Sequence, residues 1–269
     1  MALQTSGAIS LNDIHIEAGG STATSAGIND ADIIGLIDKT AGAAMSFSEW
    51  YGASALLTLA TQSSATTSST NNITITIPSF AAGDIAIAVA TIHDSTYANS
   101  NTINVPAGWT ALGSTVRYYH VESTKGGNMY RGQIQRGFYR VLESGDTTVT
   151  AQRTANGSGY SWMTCVVYRP SDPITTITNN DYVSGTTAYT NDINCAASSV
   201  STIAYAGSSE YNSTPSHTWT GVTPDYNLGF GNGMRFGSYL QNSATPSDVT
   251  WTGSNTSLDA HMSGYLEIS

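Results

Sequence analysis

The sequence predicts a mainly β protein, in which a small N-terminal module of short helices precedes a jelly-roll-like antiparallel β-sandwich. Three observations carry that expectation. β-Branched and polar residues alternate through much of the chain after residue 55. Turn sequences rich in Gly, Asn, Asp and Ser interrupt that region at short intervals. Residues 1–54 instead carry acids at helix-start positions and Ile-rich clusters at helical spacing. Two tandem small β-sandwiches are the alternative arrangement of the same strands.

The module comes first. In ISLNDIHIEAGG (9–20), Ser10 is placed to cap a helix with Asp13 three residues on, and Leu11, Ile14 and Ala18 fall on one face. Gly19-Gly20 supplies the stop. In GINDADIIGLI (27–37), Asn29 stands before Asp30 and Asp32, where the helix dipole favours acids, and Ile33, Ile34, Leu36 and Ile37 form the apolar surface. MSFSEWYG (45–52) pairs Ser46 with Glu49 ahead of Trp50 and Tyr51. Each fragment spans about two turns or less, and isolated helices below about 12–15 residues are marginal in water. Without a disulfide or metal cluster, Ile33, Ile34, Leu36, Ile37, Phe47 and Trp50 exceed what so small a unit encloses alone, so part of that surface is expected to dock on another protein. Packing on the β region of the same chain is the alternative.

From residue 55 to 269 the pattern is strands. NNITITIPS turns Ile73, Ile75 and Ile77 to one side, and DIAIAVATI does the same with Ile85, Ile87 and Val89, so both read as half-buried strands joined by a turn at Pro78 and Gly83-Asp84. YRGQIQRGFYRVL (130–142), TTVTA (147–151) and YSWMTCVVY (160–168) continue the series between ESGD and NGSG turns. GFGNG (229–233) precedes a strand pattern, not a helix, and reads as a hairpin turn.

The region also echoes itself. GDIAIAV, GWTAL (108–112), NMYRGQI (128–134), DTTVT and YSWMTCVVYRP recur in order as SSVSTIAYA (198–206), TWTGV (218–222), GMRFGSY (233–239), SDVTW and HMSGYLEI (261–268). Two similar halves, about 72–170 and 190–269, are expected.

Composition limits the function classes. Charged residues make up 10% of the chain, against roughly 25% in ordinary soluble domains. A net charge of −10 repels phosphate backbones, so nucleic acid and anionic membrane surfaces are not expected partners. IAIAVATI is among the longest apolar runs, far short of the roughly 20 residues that cross a bilayer. The first ten residues lack the charged and apolar regions of a secretory signal, which implies cytoplasmic synthesis. Cys165 and Cys195 are expected as buried free thiols.

No catalytic, cofactor-binding or metal-ligating residue is nominated. His15, His93, His120, His217 and His261 lack metal spacing and read as surface or capping histidines. No nucleophile elbow is present, and the carboxylates fall in turns without a pattern. Enzyme activity is not expected. The fifteen Tyr and five Trp could instead form contact platforms. Tyr118, Tyr119, Tyr130 and Tyr226 are the candidates for a host-surface glycan or protein partner, while Trp109 and Trp219 occupy matching places in the two halves and read as structural.

The first fifth of the chain is also familiar as a pattern. The order ISLNDI-x-x-E-x-G, IND-x-D-I-x-x-L, a Gly-Ala pair and MSFSEWYG-x-S resembles a short N-terminal module of structural proteins from tailed bacteriophages. The β region more loosely resembles β domains of phage tail and appendage proteins. The resemblance implies a connector that docks on other virion proteins, with Leu11, Ile14, Ile33, Leu36, Phe47 and Trp50 as the docking core. Ile34 departs from the pattern, standing where many relatives carry Arg. The expected role is a tail fibre or baseplate appendage in the virion, with a capsid-surface decoration protein or head fibre as the alternative, and a glycan-binding module as a second alternative. A homo-oligomer is expected, a trimer being common among fibres.

Overall fold

In a computed structural model of the chain, residues 3, 7–18, 26–30, 33–34, 37, 42, 44–50, 57–67, 72–94, 101–124, 127–154, 160–170, 174–185, 190–195, 201–210, 216–230, 234–242, 246–253 and 259–268 are described. The N-terminal fragments form as their caps dictate. Helix α1 (Leu11–Glu17) opens on a reciprocal box in which the Asp13 N–H donates to Ser10 Oγ at 3.1 Å and the Ser10 N–H donates to the Asp13 carboxylate at 2.8 Å. The same acid-back-to-amide contact recurs from Gly27 to Asp30 and from Ser46 to Glu49, both at 2.6 Å. In the second fragment the Asp30 carboxylate thus reaches back to Gly27, and its carbonyl accepts from the Ile34 N–H at 3.0 Å. The third is a single 3-10 turn, Phe47–Trp50.

The three fragments share a small core, while Phe47, one of the residues expected to exceed it, stays outside. Ile14, Ile33 and Trp50 are fully buried and meet Leu3, ringed by half-buried Ile9, Leu11, Ala18, Ala26, Ile28, Ile37 and Met45. Each fragment contributes one large residue, so three turns of helix suffice to surround one indole. The indole N–H, which would be costly to bury unpaired, donates to the Ile33 carbonyl at 3.1 Å.

Seventeen strands follow among the described residues. The first half holds β1 (Leu57–Thr67), β2 (Asn72–Thr76), β3 (Ile85–Asp94), β4 (Ile103–Asn104), β5 (Thr110–Ala111), β6 (Val116–Thr124), β7 (Gly127–Val141), β8 (Thr148–Arg153) and β9 (Ser161–Pro170). The second holds β10 (Ile177–Gly185), β11 (Thr190–Ile193), β12 (Ser201–Glu210), β13 (His217–Thr220), β14 (Tyr226–Phe230), β15 (Met234–Gln241), β16 (Val249–Gly253) and β17 (Asp259–Ile268). In the first half a large antiparallel sheet runs β1-β9-β3-β7, with β5 and β6 both on β7, and a small sheet runs β2-β8-β4. In the second the sheets are β10-β17-β12-β15-β14 and β11-β16-β13. Setting β5 aside, the two patterns superimpose strand for strand. Each half is an eight-stranded jelly roll, so of the two arrangements the sequence allowed, the tandem one is adopted. The halves begin with β1 and β10, earlier than residues 72 and 190, because TQSSATT and ITNNDYVSG are polar and carry no repeat signal.

The two sandwiches stack into four layers through their large sheets. Ile73, Ile75, Val149 and Ala151 of the first small sheet face Ala86, Ala88, Met163 and Cys165. Trp219, Val249 and Trp251 of the second face Ala204, Ala206 and Tyr265. Between the large sheets lies the central core, where Ile85, Ile87, Val166 and Tyr168 meet Ile203, Phe236, Met262 and Leu266. β2 alternates exposed and buried as expected, but β3 is buried on both faces, since its alanines pack one way and Ile85, Ile87 and Val89 the other.

Side chains stitch the halves together. Tyr168 Oη donates to Ser238 Oγ at 2.7 Å, and the Thr164 and Tyr226 hydroxyls lie 2.8 Å apart. Asn242 takes both backbone groups of Leu57, accepting from its N–H at 3.1 Å and donating to its carbonyl at 2.9 Å. Within the first half, Asp84, 2% exposed, closes the β2–β3 turn by accepting from the Ala81 N–H and holds Arg169 through two contacts of 3.1 and 2.8 Å.

Candidate functional site

The docking residues expected in the module divide into two groups. Ile14, Ile33 and Trp50 are buried in the module's own core, packed on one another. Leu11 is half-buried, and Leu36 lies outside the described residues. Phe47 remains outward, 46% exposed, with its ring 5.8 Å from that of Trp50. Ile16, absent from the expected set, is 40% exposed on α1.

Of the four tyrosines expected as an aromatic platform, the structure describes the side chain of Tyr226. Tyr226 is 4% exposed, in the central core, with its hydroxyl spent on Thr164, because its position on β14 faces the opposing sheet. Tyr118 and Tyr119 pair with Gln133 and Gly132 across β6 and β7, and Tyr130 pairs with Val121; the side chains of these three tyrosines lie outside the described residues.

Three of the histidines expected as surface or capping residues are buried. His217 is buried beside Trp251, ring centroids 4.7 Å apart, with Nε2 2.7 Å from Ser208 Oγ. Burial, aided by the positive charge of Arg235, pushes its pKa down to about 3, so the ring is neutral near pH 7. The Ser208–His217 contact resembles half of a nucleophilic pair, but both groups sit in the core of the second sandwich, where they pack. Burial likewise lowers His261 to about 4. His15 is also buried, in the last turn of α1. Cys165 and Cys195 are buried free thiols, as expected, and burial raises Cys165 to about 12. Among the described residues no cluster of His, Cys, Asp and Glu is placed to hold a metal, and no helix is long and apolar enough to cross a membrane.

A cleft of about 540 Å³ opens on the first small sheet, and the duplication explains it. In the second half β13 runs beside β16 for four pairs, placing Trp219 opposite Trp251. In the first half β4 pairs with β8 only at Ile103↔Arg153 and Asn104↔Gln152. Pro106 has no N–H for a ladder, so the chain leaves the sheet at Val105 and turns at Gly108 (φ +77°). Ala151 stands where the second half has Trp251, and Trp109 arrives from the loop to fill the space. The vacated strand position is the cleft. Its lining includes Asn104, Trp109, Arg140, Thr148, Thr150 and Gln152.

Arg140 holds the cleft wall. Its guanidinium donates to the Ala107 carbonyl at 3.4 Å, and it pairs with Asp146 at 3.0 Å and Glu143 at 3.5 Å. Gly108 is required by its positive φ, and a Cβ there would lie 2.4 Å from Nη1, so Arg140 would have to move. A Pro-Ala-Gly turn interrupting a repeated strand was the sequence signal for this site.

No family model matches the chain, and no curated protein or solved structure matches it.

Proposed function

We propose that the protein is a structural component of a tailed-phage virion, a tail fibre or baseplate appendage attached through residues 1–54 with the two sandwiches directed outward. The observation that carries this reading is the separate core of the N-terminal fragments, Ile14, Ile33 and Trp50, built on the residue order that resembles the phage connector. A unit that closes around its own indole can be appended to different outer domains and keep its shape. Phe47 and Ile16 then supply apolar surface for a partner virion protein. Jelly rolls are rigid, edge-protected carriers that recur in viral capsid and lectin domains. No turnover is required of such a protein.

The test is placement on the particle. Antibody against the β region, viewed on intact virions by electron microscopy, should decorate the tail or baseplate. Decoration of the head would replace this reading with the capsid-surface one, and an undecorated particle that lacks the protein by mass spectrometry would remove it.

A further inference from the structure

We infer that the cleft beside Trp109 is a binding site for an uncharged saccharide. The assignment is independent of where the protein resides, so binding and particle attachment fail or succeed separately. Its volume, about 540 Å³, lies in the range of small-ligand pockets, about 300–1,000 Å³.

Its chemistry selects the ligand. Asn104 and Gln152 are direct register partners, both exposed, so their carboxamides stand side by side on one face of the sheet. Thr150 and Thr148 continue that face along β8 at every second residue. Carboxamides and hydroxyls both donate and accept, which suits adjacent sugar hydroxyls. Trp109, 8% exposed, lines the same space and offers apolar contact to a pyranose C–H.

Charge argues against an acidic ligand. Arg140 is the one ionised group among the lining residues, and Asp146 and Glu143 already engage it. The guanidinium therefore fastens the wall and leaves no excess positive charge for a uronate, sialate or phosphate.

The second half serves as an internal control. There β13 fills the equivalent position, and Thr218 pairs with Thr252 where the first half has Asn104 and Gln152.

The experiment is saturation-transfer NMR on the full chain with neutral gluco-, galacto-, manno- and xylo-oligosaccharides, and an oligouronate as the charged comparator. At least one neutral oligosaccharide should bind, with an affinity unchanged on raising salt to about 0.5 M. Asn104→Ala or Gln152→Ala should weaken it about tenfold, and Thr218→Ala should leave it unaltered. All three residues are exposed, and thermal melts by circular dichroism check that the variants fold. The inference is overturned if no neutral oligosaccharide binds, if the Asn104 and Gln152 variants bind as the parent does, or if only the oligouronate binds, in a salt-sensitive manner.

Discussion

Trp50 reaches back across seventeen residues to donate its indole N–H to the carbonyl of Ile33, at 3.1 Å, and both residues are fully buried. That bond joins the third helical fragment to the second and makes the first fifth of the chain a unit. Trp50→Phe keeps most of the packing but leaves the Ile33 carbonyl unpaired, at a cost of about 1–3 kcal/mol. Amide hydrogen exchange should show residues 10–50 losing protection while amides of β3 and β12 keep theirs. Equal loss in both regions would mean that the fragments and the sandwiches unfold as one body.

The caps give the module an acid sensitivity. Hydrogen bonds from Ser10, side chain first and then backbone, hold the Asp13 carboxyl below the usual carboxylate range. A carboxylate with a depressed folded pKa stabilises above its unfolded value, near 4, and loses that contribution as pH falls through the folded one. α1 should therefore fray below about pH 4, read as an upfield move of the Asp13 N–H resonance as its bond to Ser10 is lost. Asp13→Asn should remove the acid dependence, and a pH-independent resonance in the parent would contradict the capping account.

The buried imidazole produces a second pH effect of different origin. His217 resists protonation until about pH 3, because burial and then Arg235 disfavour its charged form. The unfolded chain takes that proton near pH 6.5. Between those values the unfolded state binds more protons, so stability falls as pH is lowered, by up to about 1.4 kcal/mol per pH unit from this residue. Urea unfolding from pH 7 to 4.5 should show that slope, and His217→Gln should flatten it. An identical slope in the variant would place its source elsewhere.

Arg169 covers a carboxylate that is 2% exposed while its own side chain is 49% exposed. Breaking a fully buried pair costs about 3–5 kcal/mol, and the exposed guanidinium reduces that here to about 2 kcal/mol. Arg169→Met should lower the unfolding free energy by that amount in urea. No measurable loss would mean that the Ala81 N–H alone satisfies Asp84.

Phe236, fully buried between the two large sheets, tests whether the halves are one cooperative unit. Phe236→Ala should cost about 3–5 kcal/mol and shift a single transition, because the central core belongs to both sandwiches. Two separated transitions, with amides of β3 still protected after β12 has opened, would show that each jelly roll stands alone.

Local chemistry was legible in the sequence, and long-range packing was not. The box at Ser10 and Asp13 needs only neighbours three residues apart, and the alternation of Ile73 and Ile75 reports one face of one strand. The paired order of GDIAIAV with SSVSTIAYA and of DTTVT with SDVTW follows the strand equivalence of the two halves. The stacking of those halves was hidden, although IAIAVATI carried the signal: Ala86 and Ala88 are apolar as well as Ile85 and Ile87, the mark of a strand covered on both faces. Tyr226 was misread for the same reason, since nothing local reveals that β14 faces a second sheet. Trp50 was taken as surplus because its partners, Ile14 and Ile33, lie in other fragments.

The central claim is attachment through residues 1–54, and particle incorporation tests it most directly. Phage particles assembled with the full chain and with a chain beginning at Ala55 would be purified and the protein quantified by mass spectrometry, with circular dichroism used to verify that the shorter chain keeps its β structure. The account predicts that the full chain joins the particle and the folded shorter chain does not, with Phe47→Asp in the full chain reducing incorporation. Equal incorporation of the two chains would contradict it.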